Sequence, residues 1–270
     1  MPAEGRNPIA FFENLDQIKD QIAGREVFLF LDYDGTLTPI VATPDLAIIS
    51  DGMRRTVIQA AQKATVSIVS GRATGDVRGK VKIDGIFYAG SHGFEIVDPN
   101  GEVTINEEAQ RIRSTIDEVH GKLSERLKKV EGALVENVKY TISSHYRLVS
   151  EEDFPKVEGA VDAILEEYPS LRKTSGKKVF EIRPRIDWDK GKAVNWIMDY
   201  LQFDKGKHFP IYIGDDTTDE DAFRVLKDNG FGILVAEHVR ASEAAYMIQN
   251  TDEVKTVLEY FIEQSQKDML

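Results

Sequence analysis

The chain has 270 residues, 41% of them hydrophobic, enough to fill one large domain or two ordinary ones. Its net charge of −12 argues against a nucleic-acid or anionic-membrane partner, although one local site with a cation still suits a phosphorylated ligand. There is no cysteine, which excludes disulfides and thiolate metal sites, and no apolar run nears the roughly 20 residues of a membrane helix.

The first 25 residues are polar and lack a basic start followed by an apolar core, so a cytoplasmic protein with no membrane contact is expected. Ile9, Phe12, Leu15, Ile18 and Ile22 suggest a helix over residues 8–23. Val27–Leu31 is an apolar strand that stops abruptly at Asp32-Tyr33-Asp34-Gly35-Thr36, placing two carboxylates at its carboxyl end. Asp51 precedes Met53, Val57, Ile58 and Ala61, a capped helix. A second strand, Thr65–Val69, runs into Ser70-Gly71-Arg72, and a short helix and a third strand, Gly85–Tyr88, lead to Gly90-Ser91-His92-Gly93. Strand, helix, strand with short links predicts βαβ units and a doubly wound, Rossmann-like parallel sheet.

The rhythm then changes. An apolar stripe of Ile112, Ile116, Val119, Leu123 and Leu127 predicts a helix from about residue 107 to 130. Strands over Ala133–Val138 and Lys139–Leu148 follow, then a helix marked by Phe154, Val157, Val161, Ile164, Leu165 and Tyr168. Strands Leu171–Thr174 and Lys177–Arg183 come next, joined at a Ser175-Gly176 turn. Adjacent strands joined by tight turns are antiparallel, so residues 107–184 form an inserted αββαββ second domain in an α/β core of residues 1–106 and 185–270. From Trp188 the first pattern resumes. A helix (Ala193, Trp196, Ile197, Tyr200, Leu201) leads to strand Phe209–Ile213, which ends in Gly214-Asp215-Asp216-Thr217-Thr218-Asp219. A helix over Ala222–Leu226, strands at Gly232–Val235 and Ala245–Ile248, and an amphipathic helix through Val254, Leu258, Phe261 and Ile262 complete the chain.

An acid pair at a strand end has several readings. A calcium loop needs further oxygen ligands and a glutamate at set spacing, which are absent. The remaining choices are a solvated turn, or a nucleophile and a general acid/base beside a hard cation. Ligands bind at the carboxyl ends of strands in open α/β sheets. Four features fall at such ends in one order: the acid pair, Ser70-Gly71-Arg72, Lys190 before Gly191, and Gly214-Asp215-x-x-x-Asp219. Taken singly, Lys190 is equally a solvated helix-start lysine, and Ser70-Gly71-Arg72 an ordinary turn.

This set resembles the haloacid dehalogenase superfamily of phosphohydrolases. The longer strings Leu31 to Ile40, Ala89 to Gly93, Glu181 to Pro184, Trp188 to Ala193 and Gly214 to Phe223 resemble its trehalose-6-phosphate phosphatase branch, over about residues 27–236. The resemblance implies an Asp32 nucleophile that forms an aspartyl-phosphate and an Asp34 general acid/base, with a pKa raised by neighbouring carboxylates. It further implies magnesium held by Asp32, the Asp34 main-chain carbonyl and Asp215, with Asp216 reaching the ion through water. Ser70, the Gly71 amide and Lys190 would hold the phosphoryl group, and Asp219 would orient Lys190 rather than bind metal. Arg72 either pairs with a nearby acid or touches the phosphate, and His92 is either a turn residue or a wall of the pocket.

The resemblance implies that the inserted domain is a cap, and period two sorts its strands into faces. Tyr140, Ile142 and Tyr146 oppose Lys139, Thr141, Ser143, His145 and Arg147, while Phe180 and Ile182 oppose Lys177, Glu181 and Arg183. The polar face is either solvated or a surface for sugar hydroxyls. The resemblance implies the latter, with Glu136, Lys139, Arg147, Lys177 and Glu181 contacting a disaccharide phosphate. Another sugar phosphate, such as sucrose phosphate or mannosylglycerate phosphate, stays open as substrate, as does a catalytically silent sugar-phosphate sensor. No stretch marks a homo-oligomer interface, so a monomer is expected.

Overall fold

A computed structural model describes residues 6–267. Among these residues the large sheet has nine strands. Their order is β1 (Ile9–Ala10), β13 (Tyr246–Ile248), β12 (Phe231–Val235), β11 (His208–Gly214), β2 (Glu26–Leu31), β3 (Thr65–Val69), β4 (Phe87–Gly90), β5 (Glu95–Val97) and β6 (Val103–Ile105). Pairing is parallel from β1 to β4 and antiparallel at β5 and β6. Along β2, Val27, Leu29 and Leu31 face one core and Phe28 and Phe30 the other, so the strand is buried on both sides, as a sheet between helix layers requires. The first core takes α1 (Leu15–Ile22), α2 (Asp51–Ala61), α3 (Thr74–Val81) and α8 (Thr251–Lys267); the second takes α6 (Lys190–Tyr200) and α7 (Glu220–Leu226).

The chain winds outward from β2 through β3 and β4, and in the opposite direction from β11 through β12 and β13. The reversal lies between β2 and β11, paired in register with Leu31 opposite Ile213. A crevice opens at such a point beyond the strands' carboxyl ends. Asp32 and Asp215 are the next residues on the two strands.

The second sheet is antiparallel, in the order β7 (Leu134–Asn137), β8 (Ile142–His145), β10 (Val179–Pro184), β9 (Leu171–Gly176). Helices α4 (Glu107–Leu127) and α5 (Phe154–Glu167) cover one face through Ile116, Val119, Leu123, Val157, Val161 and Ile164, packed on Ile142, Phe180 and Ile182. The element order is the expected αββαββ.

Local differences from the sequence expectation have physical causes. The helix expected over 8–23 is confined to α1, because Ile9 and Ala10 pair with Tyr246 and Met247 at the sheet edge and a 3-10 turn, Phe11–Glu13, follows. The third strand starts at Phe87 rather than Gly85, whose φ of +76° places it in a turn. Beyond β4 the sheet gains β5 and β6, joined where the Asp98 carboxylate accepts from the backbone N–H of Asn100 and Glu102. The strand expected over Lys139–Leu148 retains only Ile142–His145, since Lys139 has φ +71° and Tyr140 leaves to pack with Phe94 and Ala109. The last hairpin turns at Lys177-Lys178 rather than at Ser175-Gly176, with Gly176 paired to Val179 and Lys178 at φ +66°. Lys177 is therefore at a hairpin tip and not on the strand face shared by Glu181 and Arg183. Among the described residues no helix is long and apolar enough to cross a membrane.

Candidate active site

The site begins with the approach of two strand-end loops. Asp32 N donates to Ile213 O at 2.9 Å, pinning the first loop to β11. Gly35 has φ +85°, and a Cβ there would fall 2.0 Å from Asp215 Oδ2, so only glycine lets the loops close to this distance. Lys190 enters from the first turn of α6, whose N-cap Asp189 accepts from Lys192 N at 2.9 Å. Its Nζ donates to Asp32 Oδ1 and Asp219 Oδ1, both at 2.7 Å.

Asp219 is fully buried and both its oxygens are engaged. Oδ1 also accepts from Tyr212 Oη at 2.7 Å, and Oδ2 accepts from the backbone N–H of Asp215 and Asp216 at 3.0 Å. Asp32, Asp215 and Asp219 each bring a carboxylate oxygen within 4.8 Å of the others. Because Asp219 is spent on Lys190, Tyr212 and two amides, Asp32 and Asp215 are the acids left to face a cation. Asp215 Oδ1 is buried without a partner, while Oδ2 accepts from Lys177 at the hairpin tip. An orphaned carboxylate oxygen beside a second carboxylate, with no nitrogen or sulfur donor in the cluster, fits a hard divalent cation.

Electrostatics follow from burial and charge count. Burial pushes the Asp32 carboxyl well up; Lys190 opposes this, and Asp219 and Asp215 add to it. Burial likewise raises Asp215, to about 7, against the pull of Lys177. Lys190 stays cationic: burial favours its neutral form, but the charges of Asp219 and Asp32 outweigh that and raise its pKa.

The loop after β3 supplies Ser70, buried, whose Oγ accepts from Arg72 N at 3.2 Å. Of the two roles open to Arg72, the structure favours pairing with an acid: its guanidinium takes both oxygens of Asp34 and also reaches Asp76 at 2.8 Å and Pro44 O at 2.9 Å. Asp34 thus faces a cation. Burial, with neighbouring carboxylates adding to it, raises the carboxyls of Asp32, Asp215 and Asp216. His92, 2% exposed and at φ +58°, has Nε2 3.0 Å from Glu181 Oε1, so it joins the pocket to the second sheet rather than serving only as a turn residue. A Cβ on Gly71 would lie 3.0 Å from the His92 ring, which accounts for a glycine after Ser70.

Burial alone would raise the Glu181 carboxyl, but His92, Arg183 and Lys190 together hold it down at about 2. Burial and Arg183 in turn lower the His92 pKa. A histidine held neutral gives its partner only a hydrogen bond, so the two shifts cannot both act in full. The depression of Glu181 is the sounder direction, because Arg183 and Lys190 remain charged whatever His92 does.

The open face of the second sheet forms the opposite wall of a cleft of about 240 Å3, to which Glu136, Ser143, His145, Arg147, Lys177 and Glu181 contribute alongside Asp32, Asp34, Ser70, Gly71, Arg72, Lys190, Asp215 and Asp216. Within this wall Glu136 Oε2 meets His145 Nε2 at 2.5 Å, and Arg147 Nη2 donates to Lys177 O at 2.6 Å. Lys139 is placed elsewhere, paired with the buried Glu95. Two features escape the sequence reading, Tyr212 beneath Lys190 and the Lys177–Asp215 contact, and neither carries a local signal. His145 lies on the polar face that its parity gives it, and only its contact with Glu136 is new.

A family model described as "Trehalose-phosphatase" matches residues 30–252. The "Probable trehalose-phosphate phosphatase D" of Arabidopsis thaliana is 43% identical over 265 residues, covering 94% of this chain and 72% of that protein. "Trehalose-phosphate phosphatase B" of the same plant is 40% identical over 263 residues, covering 93% and 70%. Among solved structures, the Candida albicans trehalose-6-phosphate phosphatase C-terminal domain superposes with a TM-score of 0.77 at 22% identity, over 97% of this chain and 99% of that one. A haloacid dehalogenase-like hydrolase from B. subtilis gives 0.55 at 17% identity, over 86% and 98%. At these identities the structural likenesses speak to the fold alone.

Proposed function

The chain belongs to the trehalose-phosphatase family, and from that premise we propose that it hydrolyses trehalose 6-phosphate to trehalose and phosphate. The observation that carries the reading is the meeting of Asp32, Asp215 and Lys190 at the reversal point of the sheet, opposite a polar wall built around Glu181. Asp32 attacks phosphorus and forms an aspartyl-phosphate, splitting one difficult displacement into two easier ones. Asp34 gives a proton to the departing sugar oxygen and then takes one from the water that breaks the intermediate. Ser70 and the Gly71 amide orient the phosphoryl oxygens, and Lys190, fixed by Asp219, offsets charge that builds during transfer. Asp32, Asp215 and the Asp34 main-chain carbonyl would hold magnesium, which would supply the positive charge that lets a carboxylate approach a phosphate dianion.

Residues 107–184 act as a cap that excludes water and reads the second glucose ring through Glu136, Arg147, Lys177 and Glu181. Lys139, paired with Glu95 away from this cleft, is left out of that reading. The protein works as a monomer in the cytoplasm. The test is inorganic phosphate released from trehalose 6-phosphate with and without magnesium, beside an Asp32→Asn control and a panel of other sugar phosphates. Magnesium-dependent release that Asp32→Asn abolishes is expected. Faster release from another sugar phosphate would reassign the substrate, and none from any would leave a sensor.

A further inference from the structure

A second cavity, of about 410 Å3, lies where the two sheets join; Arg172, Arg185, Trp188, Asp187, Asp189 and Asp221 line it, and none of them lines the first cleft. Its cations and anions are unequally served. Asp187 Oδ2 meets Lys192 Nζ at 2.5 Å, Asp189 Oδ1 caps α6, and Asp221 Oδ1 accepts from Arg224 at 2.8 Å. The donors are not matched in this way. Among the described residues Arg172 Nε and Trp188 Nε1 are buried without a hydrogen-bond partner, and Arg185 uses its Nε on Leu171 O at 2.9 Å.

Arg183 sharpens the imbalance. It stands directly opposite Arg172 in the β9–β10 ladder, is 3% exposed, and has both Nε and Nη2 without a partner among the described residues. Like charges opposite one another across two strands repel, and buried donors left unpaired are costly. A guanidinium fork is the donor geometry that matches a tetrahedral oxyanion.

We propose that this junction cavity binds a tetrahedral oxyanion, free phosphate or the phosphate group of an ester, through Arg172, Arg185 and the Trp188 indole N–H, with the Arg183 charge beside it. The site is separate from the hydrolytic reading and does not depend on it. An anion there ties the β9–β10 hairpin to residues 185–189, which lead directly into Lys190. Occupancy therefore steadies the second sheet over the first cleft.

The chain has two tryptophans, Trp188 and Trp196, so Trp196→Phe leaves Trp188 as a single reporter in the cavity. Its fluorescence is followed, without turnover, while inorganic phosphate or glycerol 3-phosphate is added, against sodium chloride at matched ionic strength. A saturable change is expected with phosphate or with the ester, whichever is the ligand, and the apparent Kd should rise at least about tenfold in Arg172→Gln. Arg183→Gln should behave alike if it folds; Arg172, only partly buried, decides the matter if it does not. No saturable change, an equal change with chloride, or a response untouched by Arg172→Gln would overturn the proposal and leave the arginines as partners for Asp189 and Asp221 in another cap position. Phosphate release plays no part in this readout, so failure here leaves the hydrolytic reading standing, and the reverse also holds.

Discussion

Arg72 holds both oxygens of Asp34, its Nε 2.6 Å from Oδ2 and its Nη2 2.7 Å from Oδ1. The guanidinium is itself braced by Asp76 and Pro44 O, so the carboxylate is aimed by a rigid fork. Arg72→Ala is expected to lower kcat by roughly 10- to 100-fold through lost orientation of the acid/base group, with a smaller change in KM. The loss should be equal for the sugar phosphate and for p-nitrophenyl phosphate, because the defect lies at the phosphorus end. Arg72→Lys should recover little, since a point charge cannot grip two oxygens. Steady-state kinetics on both substrates check this; a defect confined to the sugar phosphate would move Arg72 to the recognition wall.

The opposite outcome is expected at Glu181. Its carboxylate sits on the open face of the second sheet and is anchored by His92. Glu181→Ala should reduce kcat/KM for the disaccharide phosphate by about 10- to 100-fold while sparing p-nitrophenyl phosphate, because a buried donor–acceptor set left unpaired discriminates strongly. His92→Asn, with a residue that tolerates the left-handed φ of 58°, should share the direction of the defect at smaller size. Equal losses on both substrates would remove the pair from sugar recognition.

Residues 28–34 and 209–219 were legible in the sequence because apolar strands buried on both faces stop abruptly at acids, a contrast that needs no partner to be seen. The second sheet was legible for a similar reason: the hydrophobic period switches between 3.6 and 2, and tight turns forbid parallel pairing. What stayed hidden depends on pairings between distant segments. Ile9 continues a helical stripe by spacing, yet the edge of β13 claims it as a strand. Tyr140 keeps the parity of Ile142 but packs with Phe94 and Ala109, so a long regular strand was read through a turn. The contacts of Arg72 with Asp34, Lys177 with Asp215 and Tyr212 with Asp219 join residues whose local patterns say nothing of each other.

Asp219 carries a stability prediction. Its oxygens serve one ammonium, one phenol and two amides in full burial. Asp219→Ala should cost about 2–4 kcal/mol, chiefly by leaving the buried Lys190 charge short of a partner. Lys190→Met added to that change should recover part of the loss in urea unfolding while turnover stays absent. A double variant less stable than Asp219→Ala would show that the amides and Tyr212, rather than Lys190, are what Asp219 supports.

The last prediction concerns pH and magnesium together. Burial is the main cause of the rise of Asp215 from 3.8 to about 7, with Lys177 opposing and Asp219 and Asp216 adding. A carboxyl whose folded pKa lies above its unfolded one stabilises the fold fully below about pH 4, and that contribution is lost as pH rises through about 7. Glu181, held below its usual range by Arg183 and Lys190 whatever His92 does, has the opposite sign: its contribution is present above about 4.5 and fades as pH falls below that. A cation that binds the Asp215 carboxylate must displace its proton, so the ion restores what deprotonation costs. Thermal unfolding with and without magnesium isolates the linkage of the two acids that face the ion, Asp215 and Asp32, because groups that do not meet it cancel in the difference. The magnesium-induced rise in Tm should be small at pH 5.5 and larger at pH 7.5, with apparent affinity improving by up to about tenfold per pH unit below 7. A rise in Tm that stays flat between those pH values would separate Asp215 from the metal site.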